Sequence, residues 1–310
     1  MEPAYLRLLE EGTLEERVDQ ALDLLAPCRV CPRNCQVDRL SGERGYCGGG
    51  RLPRVSSYSP HYGEEPPLVG RMGSGTIFFA GCSMACTFCQ NYSISQVRQG
   101  KEVAPEGLAG MMLDLQARGC HNINFVSPSH FVPQILEATL LAARDGLKIP
   151  LVYNTGTYDS VETLRLLDGI FDVYMPDAKY GSDEVARDLS DAPGYTGTMQ
   201  AAILEMQRQA GDLVVDGGVA VRGLIIRHLV LPGDLAGSGP VMEFIGGKVS
   251  KDAYVNVMSQ YRPCWRVSEL GDNPRYALLG RHITTKEYWD AVAFARKAGI
   301  HRGIPFDDPG

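Results

Sequence analysis

The stretch 75-GTIFFAGCSMACTFCQN-91 decides how this sequence is read. Its first half, Thr76 to Gly81, is a short apolar run closed by a glycine, which predicts a buried strand. Directly after it come Cys82, Cys86 and Cys89, spaced C-x3-C-x2-C. Three soft thiolates on one short loop suit iron–sulfur chemistry. Four protein ligands would close a tetrahedral zinc or a cubane cluster. Three leave one iron open to a small molecule, as a catalytic zinc keeps one position open. With nine cysteines in 310 residues, chance supplies this spacing about 0.008 times per chain.

Beyond the loop, the strand-like texture recurs in alternation with helical periodicity. Further strands are expected in HNINFVSPSH (121–130), IPLVYNTG (149–156), IFDVYMPDAK (170–179), GLIIRHLVLPG (223–233) and AYVNVMSQY (253–261). Helices are expected in the intervening 104–119, 131–146, 160–169 and 195–211, and a closing one in 285–299. Strands alternating with helices mean parallel βαβ units. No Gly-x-Gly-x-x-Gly follows the first strand, so the pattern predicts an α/β fold of the partial (β/α)6, TIM-like barrel type rather than a doubly wound dinucleotide fold. In such a barrel the chemistry sits at the carboxyl ends of the strands. The cysteine loop lies there, and so do the polar strand ends Ser127-Pro128-Ser129-His130, Asn154-Thr155, Asp177, Lys179, Arg227 and Gln260. Each alone is an ordinary loop residue; gathered at one rim they outline a site.

Upstream, residues 2 to about 26 carry helical periodicity broken at Gly12, a surface element expected to pack on the main domain. Residues 27–75 are rich in Cys, Gly and Pro, and regular structure is expected to be sparse. Cys28, Cys31, Cys35 and Cys47 run C-x2-C-x3-C-x11-C, enough to close an all-cysteine zinc site or a full [4Fe–4S] cluster, and either would staple a segment short of apolar residues. Cys120 and Cys264 stand alone and are expected to be small buried hydrophobes. The chain thus divides into a helical and Cys-rich metal-binding extension (1–75), a barrel (76–263) and a C-terminal segment with a helix packed on the barrel (264–310). A net charge of -7 argues against a general nucleic-acid or anionic-membrane surface. Nothing approaches the apolar length of a membrane span, and the acidic first twenty residues are unlike a signal or transit peptide, so the expected location is cytoplasmic. Clustered cysteines in a reducing compartment point to metal rather than disulfides.

The motif CSMACTFC resembles the three-cysteine signature of radical S-adenosylmethionine (SAM) enzymes, with the aromatic Phe88 before the last cysteine. Together with VYNTG, VYMPDAKY and IRHLVLPG, the stretch from about Gly75 to Pro263 resembles the pyruvate formate-lyase activating enzymes. The whole chain resembles an activating-enzyme-like branch that carries an N-terminal four-cysteine segment. The resemblance implies a [4Fe–4S] cluster on Cys82, Cys86 and Cys89 that chelates SAM and cleaves it to a 5'-deoxyadenosyl radical, which takes hydrogen from a substrate. It implies cofactor contacts at Phe88, Pro128, Ser129, His130, Asn154, Thr155, Asp177, Lys179, Arg227 and Gln260, and an electron donor of the reduced flavodoxin or ferredoxin type. It also brings two departures. Asn154 stands where an acid helps hold a monovalent cation near Asp177, and Ser-Pro-Ser-His replaces a Gly-Gly-Glu-like turn. The expected substrate is a glycine backbone in a partner protein, or another protein, or a small molecule. The rival from another class is a non-enzymatic iron–sulfur or zinc protein, which would explain both cysteine groups but not the polar rim.

Overall fold

The structure, a computed structural model, describes residues 2–270 and 273–305. Its sheet contains nine strands: β1 (Arg54–His61), β2 (Ser74–Phe79), β3 (Lys101–Glu102), β4 (Ile123–Val126), β5 (Leu151–Thr155), β6 (Val173–Pro176), β7 (Val214–Asp216), β8 (Val219–Leu229) and β9 (Tyr254–Met258). The helices are α1 (Ala4–Glu10), α2 (Thr13–Leu22), α3 (Pro66–Val69), α4 (Tyr92–Ser95), α5 (Pro105–Ala117), α6 (Val132–Arg144), α7 (Val161–Leu166), α8 (Asp183–Ser190), α9 (Tyr195–Ala210), α10 (Ser238–Phe244) and α11 (Thr285–Lys297). Among the described residues no helix is long and apolar enough to cross a membrane.

Strands β2, β4, β5, β6, β8 and β9 pair in that order, every pair parallel, and these are the six strands the sequence predicts. The sheet does not close: the antiparallel β1, with β3 outside it, flanks β2, and β9 ends the other side. This is the partial barrel. Successive residues of a strand serve opposite faces. Leu151 and Tyr153 of β5 belong to the helix-facing core, whereas Val152 joins Val173, Met175 and Ile225 in a separate inner cluster. Leu68 of α3 is buried in that inner cluster and plugs the barrel. With both faces covered, the central strands read as continuous apolar runs.

The N-terminal helices pack as expected. Tyr5, Leu14, Val18 and Ala21 are buried in the helix-facing core, the larger side chains contributing about 1.5–3 kcal/mol each. Polar ties fix the arrangement: the Ala4 amide donates to Asp172 Oδ1 at 2.9 Å and Tyr5 Oη to the Ile149 carbonyl at 3.1 Å. The segment 27–75 departs from expectation by contributing an eight-residue strand, β1, and the plug α3. In RVSSYSPH the serines and Pro60 mask a strand that exists because β2 offers an edge. Helix α8 lies between the expected strand 170–179 and the expected helix 195–211, where the sequence reading placed no element, and buries Val185, Ala186 and Leu189 on one face. Cys120 is buried as expected; Cys264 is half-buried, its thiol donating to the Phe88 carbonyl at 3.2 Å. The closing helix is α11, and the tail beyond residue 305 lies outside the described residues.

Candidate cofactor site at the barrel mouth

The cysteine loop leaves β2 through Gly81, whose φ of +91° is open to glycine at little cost. The loop is then held against the end of α8. Ala85 N–H donates to the Ser190 carbonyl at 2.9 Å and Thr87 N–H to the Leu189 carbonyl at 2.8 Å. Each sulfur has a polar neighbour: the Met84 amide donates to Cys82 at 3.4 Å, the Ser190 hydroxyl to Cys86 at 3.0 Å, and the Ser95 hydroxyl lies 3.1 Å from Cys89. Burial, and then the neighbouring Cys86, push the Cys82 thiol up to about 12. Burial likewise raises Cys86, against the pull of Lys179. Such thiols favour the thiolate only when a cation is bound to them, which suits a metal–sulfur cluster.

The three cysteines face a cavity of about 430 Å³ whose other walls are strand ends: Ser127, Asn154, Thr155, Asp177, Lys179 and Arg227. Asp177 is central. Its Oδ1 accepts from Arg227 Nε and its Oδ2 from Lys179 Nζ, both at 2.7 Å. Burial works against its ionisation, but Arg227 and Lys179 outweigh it and hold the carboxyl below the ordinary range. Arg227 Nη2 also donates to Asn154 Oδ1 at 2.8 Å. Arg227 and Lys179 thus occupy both oxygens of Asp177 that the resemblance to the activating enzymes would turn toward a monovalent cation, and Asn154 serves as acceptor for the arginine.

The predicted residues divide by where the fold puts them. Thr155 lines the cavity and donates to Asp159 Oδ2 at 2.6 Å; Ser129 stands behind it, its hydroxyl 3.0 Å from that of Thr155. Pro128, Ser129 and His130 do not line this cavity, contrary to expectation. Ser127 takes φ +57° and turns the chain, so Ser127 itself meets the cavity while the next three residues go inward. His130 is buried with Nε2 3.2 Å from the Ala80 carbonyl, and burial lowers its pKa to about 3, so the imidazole is neutral. Phe88 packs edge-on against Tyr261 at 5.7 Å beneath the loop. Gln260 is exposed, and its contact is a backbone one: its carbonyl accepts from Gln90 Nε2 at 3.1 Å. Two titratable cavity residues were not anticipated. His61 and Glu64 reach the mouth from the end of β1 and the turn after it, and Glu64 lies 3.7 Å from Arg227. Burial raises the Glu64 carboxyl, with Arg227 opposing.

The donor set fits the group that the motif implies: three thiolates on one side of the cavity and a fixed array of cationic, amide and hydroxyl groups on the other. The profile of the Radical SAM superfamily matches residues 76–230. An uncharacterized protein of Methanocaldococcus jannaschii, MJ0674, is 33% identical over 306 residues, covering 95% of this chain and 82% of its own. A second from the same organism, MJ0808, is 23% identical over 51% of this chain and 50% of its own. Among solved structures, a radical SAM methyltransferase from Sphaerobacter thermophilus aligns with a TM-score of 0.49 at 13% identity, over 74% of this chain and 66% of that one. HydG, a maturase of the [FeFe]-hydrogenase, aligns with a TM-score of 0.49 at 14% identity, over 76% of this chain and 52% of that one. The chain belongs to the radical SAM superfamily.

Proposed function

We propose that this radical SAM enzyme takes hydrogen from a protein substrate, with the backbone of a glycine in a partner enzyme as the preferred target. A cluster held at the cysteine loop would supply the one-electron reduction of SAM on which the radical chemistry depends. Cys82, Cys86 and Cys89 would hold three irons of that cluster. Asp177, Lys179 and Arg227 form a rigid charged wall against which the methionine end of SAM would be oriented, each charge already paired and so pre-positioned. Thr155, backed by Ser129 and Asp159, presents a fixed hydroxyl. Glu64 and His61 close the remaining side and limit access of water.

The observation that carries the reading is the size of the cavity. About 430 Å³ is at the small end for a ligand pocket and is shared by the three cysteines and the cofactor-facing wall. Little room is left for a separate substrate, so a substrate would approach from outside, over the strand-end rim where the exposed Gln90 and Asn91 line the cavity. An extended segment of another protein suits that approach. The electron would come from a small reduced flavodoxin- or ferredoxin-type donor.

The test is 5'-deoxyadenosine formation by anaerobically reconstituted, dithionite-reduced protein given SAM, followed by a search for a glycyl radical in candidate partners by electron paramagnetic resonance (EPR). Cys86→Ala should abolish 5'-deoxyadenosine formation. Wild-type turnover that persisted in that variant would remove the three-cysteine assignment, and turnover without any protein-borne radical would remove the substrate class.

A further inference from the structure

The N-terminal cysteines form a site of their own beside the barrel mouth. Cys28, Cys31, Cys35 and Cys47 line one enclosed, almost wholly apolar space, with Arg39, Gly45 and His130 closing its sides. The local backbone is shaped to bring them together. Cys28 N–H donates to the Val37 carbonyl at 2.8 Å and Gln36 N–H to the Cys28 carbonyl at 3.0 Å, while Asn34 and Gln36 take positive φ to reverse the chain between them. A side chain at Gly45 would meet Cys35 Sγ at 2.8 Å, so the chain closes over the sulfur only as glycine. The amides of Tyr46 and Gly49 donate to the sulfurs of Cys35 and Cys47, both at 3.4 Å, the outer contacts that metal-bound thiolates take.

Charge points the same way. Arg39 is 1% exposed, and its guanidinium donates to the carbonyls of Gly50 and His130 but, among the described residues, to no carboxylate. A buried arginine without an anion is costly. Four thiolates around a metal centre carry net negative charge and would supply the missing counter-charge beside it.

Spacing separates the two metals. Around zinc, four sulfurs lie about 2.3 Å from a common centre and nearly touch. Here the enclosed space that the four cysteines line together with six other residues admits a water-sized sphere, and among the described residues no three ligating side chains converge on a single ion. A cube that gives each sulfur its own iron needs the wider spread. The site also abuts the first cysteine loop. A side chain at Gly81 would lie 2.5 Å from the Cys47 carbonyl, so on standard backbone dimensions the Cα atoms of Cys47 and Cys82 are within about 10 Å. Arg33 Nε bridges the two segments, donating to the Ser83 carbonyl at 2.7 Å.

We infer that Cys28, Cys31, Cys35 and Cys47 hold a second [4Fe–4S] cluster, closed to substrate by its four thiolates and set close enough to the first to pass it an electron. The step is one electron only. The second cluster, reduced by an external low-potential one-electron donor, returns from the +1 to the +2 state as the first goes from +2 to +1, and no bond or proton moves.

The experiment uses the full chain, purified and reconstituted anaerobically. Wild type should hold about eight irons, about eight sulfides and no zinc per chain, and Cys35→Ser and Cys82→Ser about four irons each. The EPR spectrum of reduced wild type should show spin–spin broadening that neither variant shows, because two nearby paramagnets interact. Four irons with one zinc, or four irons alone, in the wild type would overturn the proposal without any variant having to fold. Eight irons with a wild-type spectrum equal to the sum of the two variants would overturn the adjacency. Neither readout depends on SAM cleavage.

Discussion

Replacing Gly81 by alanine tests the contact on which both cysteine groups lean. Two costs add. An L-residue held at φ +91° is strained by about 1–2 kcal/mol, and a methyl placed 2.5 Å from the Cys47 carbonyl must push one loop off the other, at about 1–3 kcal/mol. Gly81→Ala should therefore destabilise the protein by about 2–5 kcal/mol, and in a chain of this size each kcal/mol lowers the Tm by ~2 °C, for a drop of ~4–10 °C. The control is Gly110→Ala. Gly110 sits within α5, and its added methyl meets nothing within 4 Å, so the same chemical change should stabilise by about 0.5–1 kcal/mol. Anaerobic thermal melts of the three proteins side by side decide the matter. A Gly81→Ala protein that melted with wild type, or with Gly110→Ala, would refute the close approach of Cys47 to the first cysteine loop.

Three further outcomes are expected. Asp177→Asn leaves Arg227 and Lys179 as half-buried like charges without their shared anion, so the melt should fall by the equivalent of about 1–3 kcal/mol, and calorimetric titration should show weakened SAM binding. Glu64→Gln removes a carboxylate that shares the cavity wall with Arg227 but does not build the fold; SAM affinity should drop about tenfold, some 1.4 kcal/mol, with an unchanged melt. Burial raises Asp172 from 3.8 to about 6 against the amides of Ala4 and Leu151 that donate to it. Between those values the folded chain keeps a proton the unfolded chain has lost, so stability falls as pH rises through the window, by up to about 3 kcal/mol. Asp172→Asn should flatten that slope in urea melts taken from pH 4 to pH 6.5.

The six parallel strands were legible because each is a short apolar run closed by Gly, Pro or a polar turn, and none depends on a distant partner to look like a strand. β1 was not, since RVSSYSPH has no apolar stripe of its own and becomes a strand by pairing with β2. At the site, contiguous chemistry was readable and folded-back chemistry was not. Cys82, Cys86 and Cys89 and the Asp177–Lys179 pair sit on single loops, whereas Glu64 arrives from outside the barrel and carries no sequence mark of its destination. The Ser127 to His130 turn shows how fine the limit is. The run Ser-Pro-Ser-His suggested one surface, but a single left-handed residue at Ser127 sends its three successors to another face, where His130 closes the N-terminal cysteine space instead.

That last placement has a consequence for biosynthesis. The lid over Cys28, Cys31, Cys35 and Cys47 is made of residues translated later, Gly81 abutting Cys47 and His130 closing the space from the barrel. A ribosome adding about 5–20 residues per second needs roughly 4–17 s to travel from Cys47 to His130. During that interval the four thiols are all present but uncovered, and on the second-cluster proposal the growing chain would be open to an iron–sulfur delivery protein. On the second-cluster proposal, a chain that folded before being loaded takes up its metal by local opening of this lid, the same route that anaerobic reconstitution of the purified chain uses.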